Sequence, residues 1–133
     1  MPQLAHVALI VRSLDAPASL PVSALDLAPR ERTALPGEGV TVSFITMGAA
    51  CVELIQPVGP PGPLLRFLNA RGEGIHHVAL RVVDIEAAIA RAAGAGIRVS
   101  GEAPRPGAHG ARVAFLHPAS LHGVLVELVE AAT

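Results

Sequence analysis

The sequence has no lysine, no tryptophan and no tyrosine, and among its 133 residues there is one cysteine and three phenylalanines. Each absence removes a class of function. Without lysine there is no Schiff-base chemistry. Every fixed positive charge is an arginine, so a bound phosphate or carboxylate must be met by arginine, by backbone N–H groups or by a metal ion. A net charge of −1 leaves no basic patch, and so few aromatic rings leave no stacking platform, so nucleic acid is not an expected partner. Cys51 alone cannot form an internal disulfide, which suits a reducing, cytoplasmic setting, and the expectation for it is a small buried hydrophobe. No apolar run reaches the roughly 18 residues that a membrane span needs. The opening MPQLAHVAL carries no basic residue ahead of its apolar stretch and reads as a first strand, not a secretory signal.

What is present is apolar material in strand-like runs. Hydrophobic residues make up 51% of the chain and charged residues 16%, enough to build one domain or two half-size modules sharing a core. LAHVALIVR (4–12) reads as a strand. Residues 14–27 carry helix-like spacing, with Pro17 and Pro21 inside it, and a short irregular helix is expected there. A weak strand near 30–34 precedes two clear ones, VTVSFIT (40–46) and ACVELIQ (50–56), joined by a turn around Met47-Gly48. PVGPPGP (57–63) can continue neither helix nor sheet and marks a linker. A short helix follows over 64–71. Then comes a strand over 75–82, and a helix over IEAAIARAA with Asp84 as its N-cap and Gly94 or Gly96 at its end. Three further strands are expected over 97–100, 111–116 and 124–129.

The second half restates the first. HVALIVRSLDAPAS (6–19) parallels HVALRVVDIEAAIA (77–90), VSFI (42–45) parallels VAFL (113–116), and VELIQ (52–56) parallels VELVE (126–130). Three matching phrases in one order indicate a duplicated module. The expected organisation is a single domain, 1–133, with module one over 1–57, a linker and short helix over 58–72, and module two over 73–133.

The duplication also repeats a histidine and a glutamate. His6 and His77 lie 71 residues apart, Glu53 and Glu127 lie 74 apart, and all four sit inside apolar strands. A carboxylate in GVLVELV or ACVELIQ is costly unless something compensates its charge. Packed about a pseudo-twofold axis, two imidazoles and two carboxylates would make an N₂O₂ set for a divalent ion such as Co²⁺, Zn²⁺, Ni²⁺, Mn²⁺ or Fe²⁺. One histidine in a strand is ordinarily a hydrogen-bonded core residue; four residues placed in register are not. His76, His109, His117 and His122 have no repeat partner, and structural or surface roles are expected for them. The glycines of Gly107, Ala108, His109 and Gly110 would let backbone N–H groups approach an anion, making this a candidate substrate loop, or else a tight hairpin turn.

Paired strand–helix–three-strand modules bearing such residues resemble the vicinal oxygen chelate superfamily, which includes glyoxalase I, extradiol dioxygenases and bleomycin-resistance proteins. Within it, RGEGIHHVAL (71–80), VDIEAAIA (83–90), PRPGAHGARVAFLHP (104–118) and HGVLVELVE (122–130) are similar to the methylmalonyl-CoA epimerase family. The first half matches more loosely, through HVAL, EGVTVSF and VELIQP. The resemblance implies an α+β fold of two pseudo-symmetric βαβββ modules forming a curled mixed sheet around a metal site. It implies metal ligation by His6, His77 and Glu127, with Glu53 where the family has Gln or Glu, and one divalent ion per chain, Co²⁺ ahead of Zn²⁺, Ni²⁺ and Mn²⁺. The implied reaction interconverts (R)- and (S)-methylmalonyl-CoA through proton removal at C2, with Glu127 and Glu53 as the available carboxylates. The implied partners are an acyl-CoA substrate and a second copy of the chain, the linker helix being a candidate contact. Three positions differ from the family pattern: SLPVS stands where an aromatic pair is usual, Ala119 where Lys often follows HP, and Val42 where some members carry a glutamate. A glyoxalase I-like lyase shares the metal and the proton-transfer logic, but PRPGAHG speaks against it. An extradiol dioxygenase is disfavoured by the absence of Tyr, and a metal-free binding protein by two buried carboxylates.

Overall fold

Apolar and β-branched residues along AHVALI make the first strand, and similar runs make most of the strands below. A computed structural model describes residues 2–133, apart from the side chain of Glu102. Its elements run β1 (Gln3–Ile10), β2 (Thr33–Leu35), β3 (Val40–Met47), β4 (Ala50–Pro57), α1 (Pro63–Arg71), β5 (Gly74–Arg81), α2 (Ile85–Gly94), β6 (Val99–Pro106), β7 (Arg112–Leu116) and β8 (Val126–Glu130). The chain divides into two units, one formed by Val7–His76 and the other by the residues up to His6 together with His77–Thr133. No helix among the described residues is long and apolar enough to cross a membrane.

In the Val7–His76 unit the strand order is β2-β3-β4-β1. β3 and β4 form an antiparallel hairpin in which Met47 pairs with Ala50, so the turn is Gly48-Ala49, one residue later than the sequence suggests. Gly48 takes φ +62, a conformation a β-carbon would oppose. On one face Ala8, Ile10, Val40, Val42 and Ile55 pack beneath Leu64, Leu65, Phe67 and Leu68 of α1. Pro63 opens that helix at a position where its missing N–H costs nothing. On the other face Val11, Leu14, Ile45 and Leu54 meet Leu20, Val22 and Leu27. Cys51 is half-buried, not the enclosed hydrophobe expected.

The expected helix over 14–27 does not form; the segment is a series of turns. Hydrogen bonds from Leu20 N to Pro17 O (3.3 Å), Leu25 N to Pro21 O (3.1 Å) and Leu27 N to Val22 O (2.8 Å) close turns that do not join into a helix, because Pro21 has no N–H to continue a ladder and Asp26 takes φ +54. Its apolar residues still cover the sheet, so the periodicity was a packing signal without helical backbone.

Glu73 anchors this loop, which the sequence did not suggest. Its carboxylate accepts hydrogen bonds from Arg12 N and Ser19 N, each at 2.9 Å. Partial burial pushes its acidity toward the neutral form, but the backbone donors of Arg12 and Ser19 outweigh it and hold the carboxyl below the usual carboxylate range. A folded-state value below the unfolded one means the stabilisation is present above the unfolded pKa, about 4.3, and is lost as pH falls through the folded value. Glu73→Gln is expected to cost roughly 1 kcal/mol at pH 7, since the site is largely open to solvent, and almost nothing at pH 3. Urea unfolding across that range tests it; an equal loss at both pH values would show that shape, not charge, holds the loop.

The other unit has the order β5-β8-β7-β6, with β5 and β8 parallel and the remaining pairs antiparallel. α2 begins as the sequence predicts: the Asp84 carboxylate accepts from Ala87 N at 3.0 Å, with Glu86 in the first turn and Arg91 in the last. Ile85 and Ala88 bury one helical face against Ala114, Leu116 and Leu128. Arg112 ties the sheet to the helix, bonding Glu86 (2.5 and 2.8 Å) and Glu130 (3.0 Å), while Glu130 accepts from Ile85 N at 2.9 Å. The strand expected over 97–100 instead runs from Val99 to Pro106, and its pairing with β7 is interrupted by an irregularity between Ser100 and Arg105. β6 is last in the order, and an edge tolerates the two prolines that hid it.

The duplicated phrases occupy the same places in each unit. Phe44 faces Glu53 across β3 and β4, and Phe115 faces Glu127 across β7 and β8. Leu9, Val11, Ile45, Val52 and Leu54 pack with the 14–27 segment, and their counterparts Leu80, Val82, Leu116, Val126 and Leu128 pack with α2. The order strand–helix–three strands therefore holds in the second half. In the first half, turns stand where the helix was expected.

Candidate metal centre and acyl-CoA site

Strand alternation decides which side chains share a face. Glu127 on β8 lies opposite Phe115 of β7 and alongside Ala79 of β5. His77, two residues before Ala79, therefore points the same way as Glu127, while Leu128, Leu116 and Ala114 point to α2. His6, on β1, completes the group. All three belong to the same unit.

The three side chains converge. His6 Nε2 lies 3.2 Å from His77 Nε2 and 3.2 Å from Glu127 Oε1, and His77 Nε2 lies 3.6 Å from that same oxygen. Each residue is no more than 8% exposed. Burial pushes the Glu127 carboxyl toward its neutral form, but hydrogen bonds from His6 and His77, with their charge, outweigh it and bring it down to about 2. The carboxylate is therefore ionised at any physiological pH, held by two imidazoles.

This donor set fits a divalent ion. Two neutral imidazole nitrogens and one carboxylate oxygen are the ligands that borderline first-row ions prefer. With metal–ligand distances of about 2.0–2.2 Å, neighbouring corners of a tetrahedron or octahedron stand roughly 3.0–3.5 Å apart, and the observed separations are 3.2, 3.2 and 3.6 Å. His6, His77 and Glu127 also form the one buried group of potential ligands among the described residues; the other, Asp84, Glu86 and Glu130, is exposed to half-buried.

Glu53, the fourth residue of the expected set, is not a member of that three-residue group. It belongs to the Val7–His76 unit, on β4, where it is 7% exposed. The expected substrate loop is a tight turn over Ala108–Gly110 with His109 at φ +55, closed by Gly107 N donating to Ala111 O at 2.9 Å. A β-carbon on Gly107 would stand 2.7 Å from Val113 Cγ1, so only glycine lets the loop lie this close to β7. Val113 is two residues from Phe115 and shares its face, which puts the loop on the side of the sheet that carries the cluster.

The histidines without a counterpart in the repeat take structural or surface positions. His117 accepts from Ala119 N at 3.1 Å and caps the turn that follows it. His76 meets the Phe67 ring edge-on at 5.0 Å. His109 and His122 are exposed, each with φ +55. In the sequence Phe115 is visible only as part of the VAFL repeat, and Arg105 only as part of the PRPGAHG phrase. The Phe115 ring meets His77 edge-on at 5.2 Å, and the Arg105 guanidinium lies over that ring at 5.3 Å.

Comparison with known proteins shows the family. The profile of the glyoxalase/bleomycin resistance protein/dioxygenase superfamily matches residues 5–115. The ethylmalonyl-CoA/methylmalonyl-CoA epimerase of Cereibacter sphaeroides is 44% identical over 95% of this chain and 96% of its own. The human mitochondrial methylmalonyl-CoA epimerase is 38% identical over 97% of this chain and 74% of its own. A solved Streptomyces coelicolor methylmalonyl-CoA epimerase variant, in complex with 2-nitronate-propionyl-CoA, superposes with a TM-score of 0.90 at 29% identity, covering 98% of this chain and 95% of that one. The chain belongs to the glyoxalase/bleomycin resistance protein/dioxygenase superfamily and, within it, to the methylmalonyl-CoA epimerase family of isomerases.

Proposed function

We propose that the chain interconverts (R)- and (S)-methylmalonyl-CoA by moving the C2 proton, with His6, His77 and Glu127 holding one divalent ion. The observation that carries this reading is the buried triangle of two imidazole nitrogens and one carboxylate oxygen; the ligand-bound relative supports the substrate class. A bound ion would supply Lewis-acid stabilisation of the negative charge that develops on the oxygens flanking C2. Co²⁺ is the first ion to test, ahead of Zn²⁺, Ni²⁺ and Mn²⁺.

The protein's own residues handle the proton. Oε1 of Glu127 is the atom that meets both imidazoles, which leaves Oε2 to accept the C2 proton as the C–H electron pair moves into the enolate. A second group, protonated at the outset, delivers its proton to the opposite face and gives the inverted product. This leaves Glu127 protonated and the second group as the base, and proton exchange with solvent resets both. A group as acidic as free Glu127 is a weak base, so the stabilised enolate must bring the C2 proton within its range. Glu53 is assigned the second proton transfer and a further ligand position on the strength of the duplicated VEL phrase. Phe115 supplies an apolar wall beside His77, and the Gly107–Gly110 turn offers backbone donors to the thioester. The working protein is taken to be a cytoplasmic homodimer, for which sedimentation is the direct check.

The deciding experiment is C2 exchange. Metal-loaded protein in D₂O is expected to incorporate deuterium at C2 of methylmalonyl-CoA, read by mass spectrometry or loss of the proton signal. Isomerisation of the methylglyoxal–glutathione hemithioacetal without any C2 exchange would replace this reading with a glyoxalase.

A further inference from the structure

We propose that Arg105 recognises the free carboxylate of the acyl group carried on CoA. The inference rests on the epimerase reading and adds to it the residue that separates a malonyl-type thioester from a simple one.

Arg105 pairs with Val113, just past the irregularity that interrupts β6 after Ser100. A residue opposite Val113 shares the face of Val113, Phe115 and Glu127. The side chain lies along that face, its Cζ 5.3 Å from the centroid of Phe115, whose other neighbour is the His77 ring at 5.2 Å. One aromatic ring thus separates a guanidinium from a member of the buried cluster. Contact with an aromatic face steadies a guanidinium without using its N–H groups, so the planar fork remains available for a carboxylate.

The neighbouring arginines are committed elsewhere. Arg112 is held by Glu86 and Glu130, and Arg98 stands beside His117. Arg105 has no carboxylate partner among the described residues, and the chain has no lysine to substitute for it. Distance then selects among the anions of an acyl-CoA. From Arg105 Cζ to the centre of the His77 ring is at most the two distances laid end to end, about 10.5 Å. The pantetheine arm, extended, carries the CoA phosphates well beyond that from a thioester at the cluster. The carboxylate on C2 remains within it.

The test compares ligands that differ by this carboxylate. Malonyl-CoA and propionyl-CoA are titrated by calorimetry into metal-loaded wild type, Arg105→Gln and Arg105→Lys. The wild type is expected to prefer malonyl-CoA. Arg105→Gln should weaken malonyl-CoA binding roughly 10- to 100-fold, as loss of a charge-assisted pair does, and leave propionyl-CoA within about threefold. Arg105→Lys should restore part of the preference, because it keeps the charge and loses the fork. Melting temperatures should be unchanged, since the side chain is exposed. Equal weakening of both ligands would assign Arg105 to a phosphate and overturn the proposal, as would no weakening of either. Failure of the wild type to exchange the C2 proton would remove the epimerase reading itself, which is a separate result from a wild type that exchanges and an Arg105→Gln variant that binds normally.

Discussion

Replacing His6 and His77 together by alanine is expected to abolish binding of a divalent ion. Wild-type protein, loaded and dialysed, should retain one ion per chain, and the double variant none, by elemental analysis. The reason is geometric. The site consists of three atoms 3.2–3.6 Å apart in a buried setting, and removing both nitrogens leaves one carboxylate, which no borderline ion prefers to water. An ion that binds only the folded state stabilises it by about 4 kcal/mol when present at a thousandfold its dissociation constant. For a chain of this size that is roughly 10–20 °C in Tm. Wild type should therefore melt markedly lower after chelation, and the double variant should melt the same with and without chelator. The variant also leaves Glu127 buried without its two hydrogen-bond donors, so its metal-free form should fall below metal-free wild type. Equal ion content in the two proteins would remove the metal centre from the molecule.

That this site can be located from the sequence at all follows from the duplication. A histidine in a strand says little alone. HVAL and VEL occurring twice, in order, mark positions that strand alternation turns to one side, and the structure gives Glu53 and Glu127 the same register against Phe44 and Phe115. The parts that were not legible have local causes. The 14–27 segment has helical spacing because its apolar residues cover a sheet face, yet Pro21 denies it a helical backbone. GEAPRP reads as a loop because glycine and proline are strand breakers in general; only its place at the end of the strand order makes it a strand. Glu73 looks like a surface charge until the 14–27 turns bring Ser19 N to it. Arg105 is the clearest case. Its place over Phe115 depends on an irregular stretch of β6 that shifts the pairing after Ser100, and no periodicity in the sequence encodes that shift.

The largest effect on rate is expected at Glu127. Glu127→Gln keeps an oxygen ligand of the same size while removing the group proposed to take the C2 proton. In the proposed mechanism the two roles fall on different atoms: Oε1 faces the imidazoles, and Oε2 is the proposed proton acceptor. An amide oxygen can still complete the ligand set, with weaker affinity, so the variant must be studied at saturating ion, confirmed by elemental analysis. Under those conditions it should bind methylmalonyl-CoA with an affinity near that of wild type and exchange the C2 proton at least roughly a hundredfold more slowly, since a positioned general base contributes about 10²–10⁴-fold. Loss of a ligand alone would give the opposite pattern, an exchange rate recovered by added ion. Glu53→Gln supplies the internal comparison. Glu53 lies outside the three-residue cluster of His6, His77 and Glu127, so its variant should retain metal and lose less activity. Exchange without inversion in Glu53→Gln would mean that one face still gives up its proton and the other no longer returns it, which assigns Glu53 to the second face. Full inversion in that variant would pass the second proton to another donor, such as water or His109. Exchange at the wild-type rate in metal-saturated Glu127→Gln would leave Glu127 as a ligand alone and require a different base.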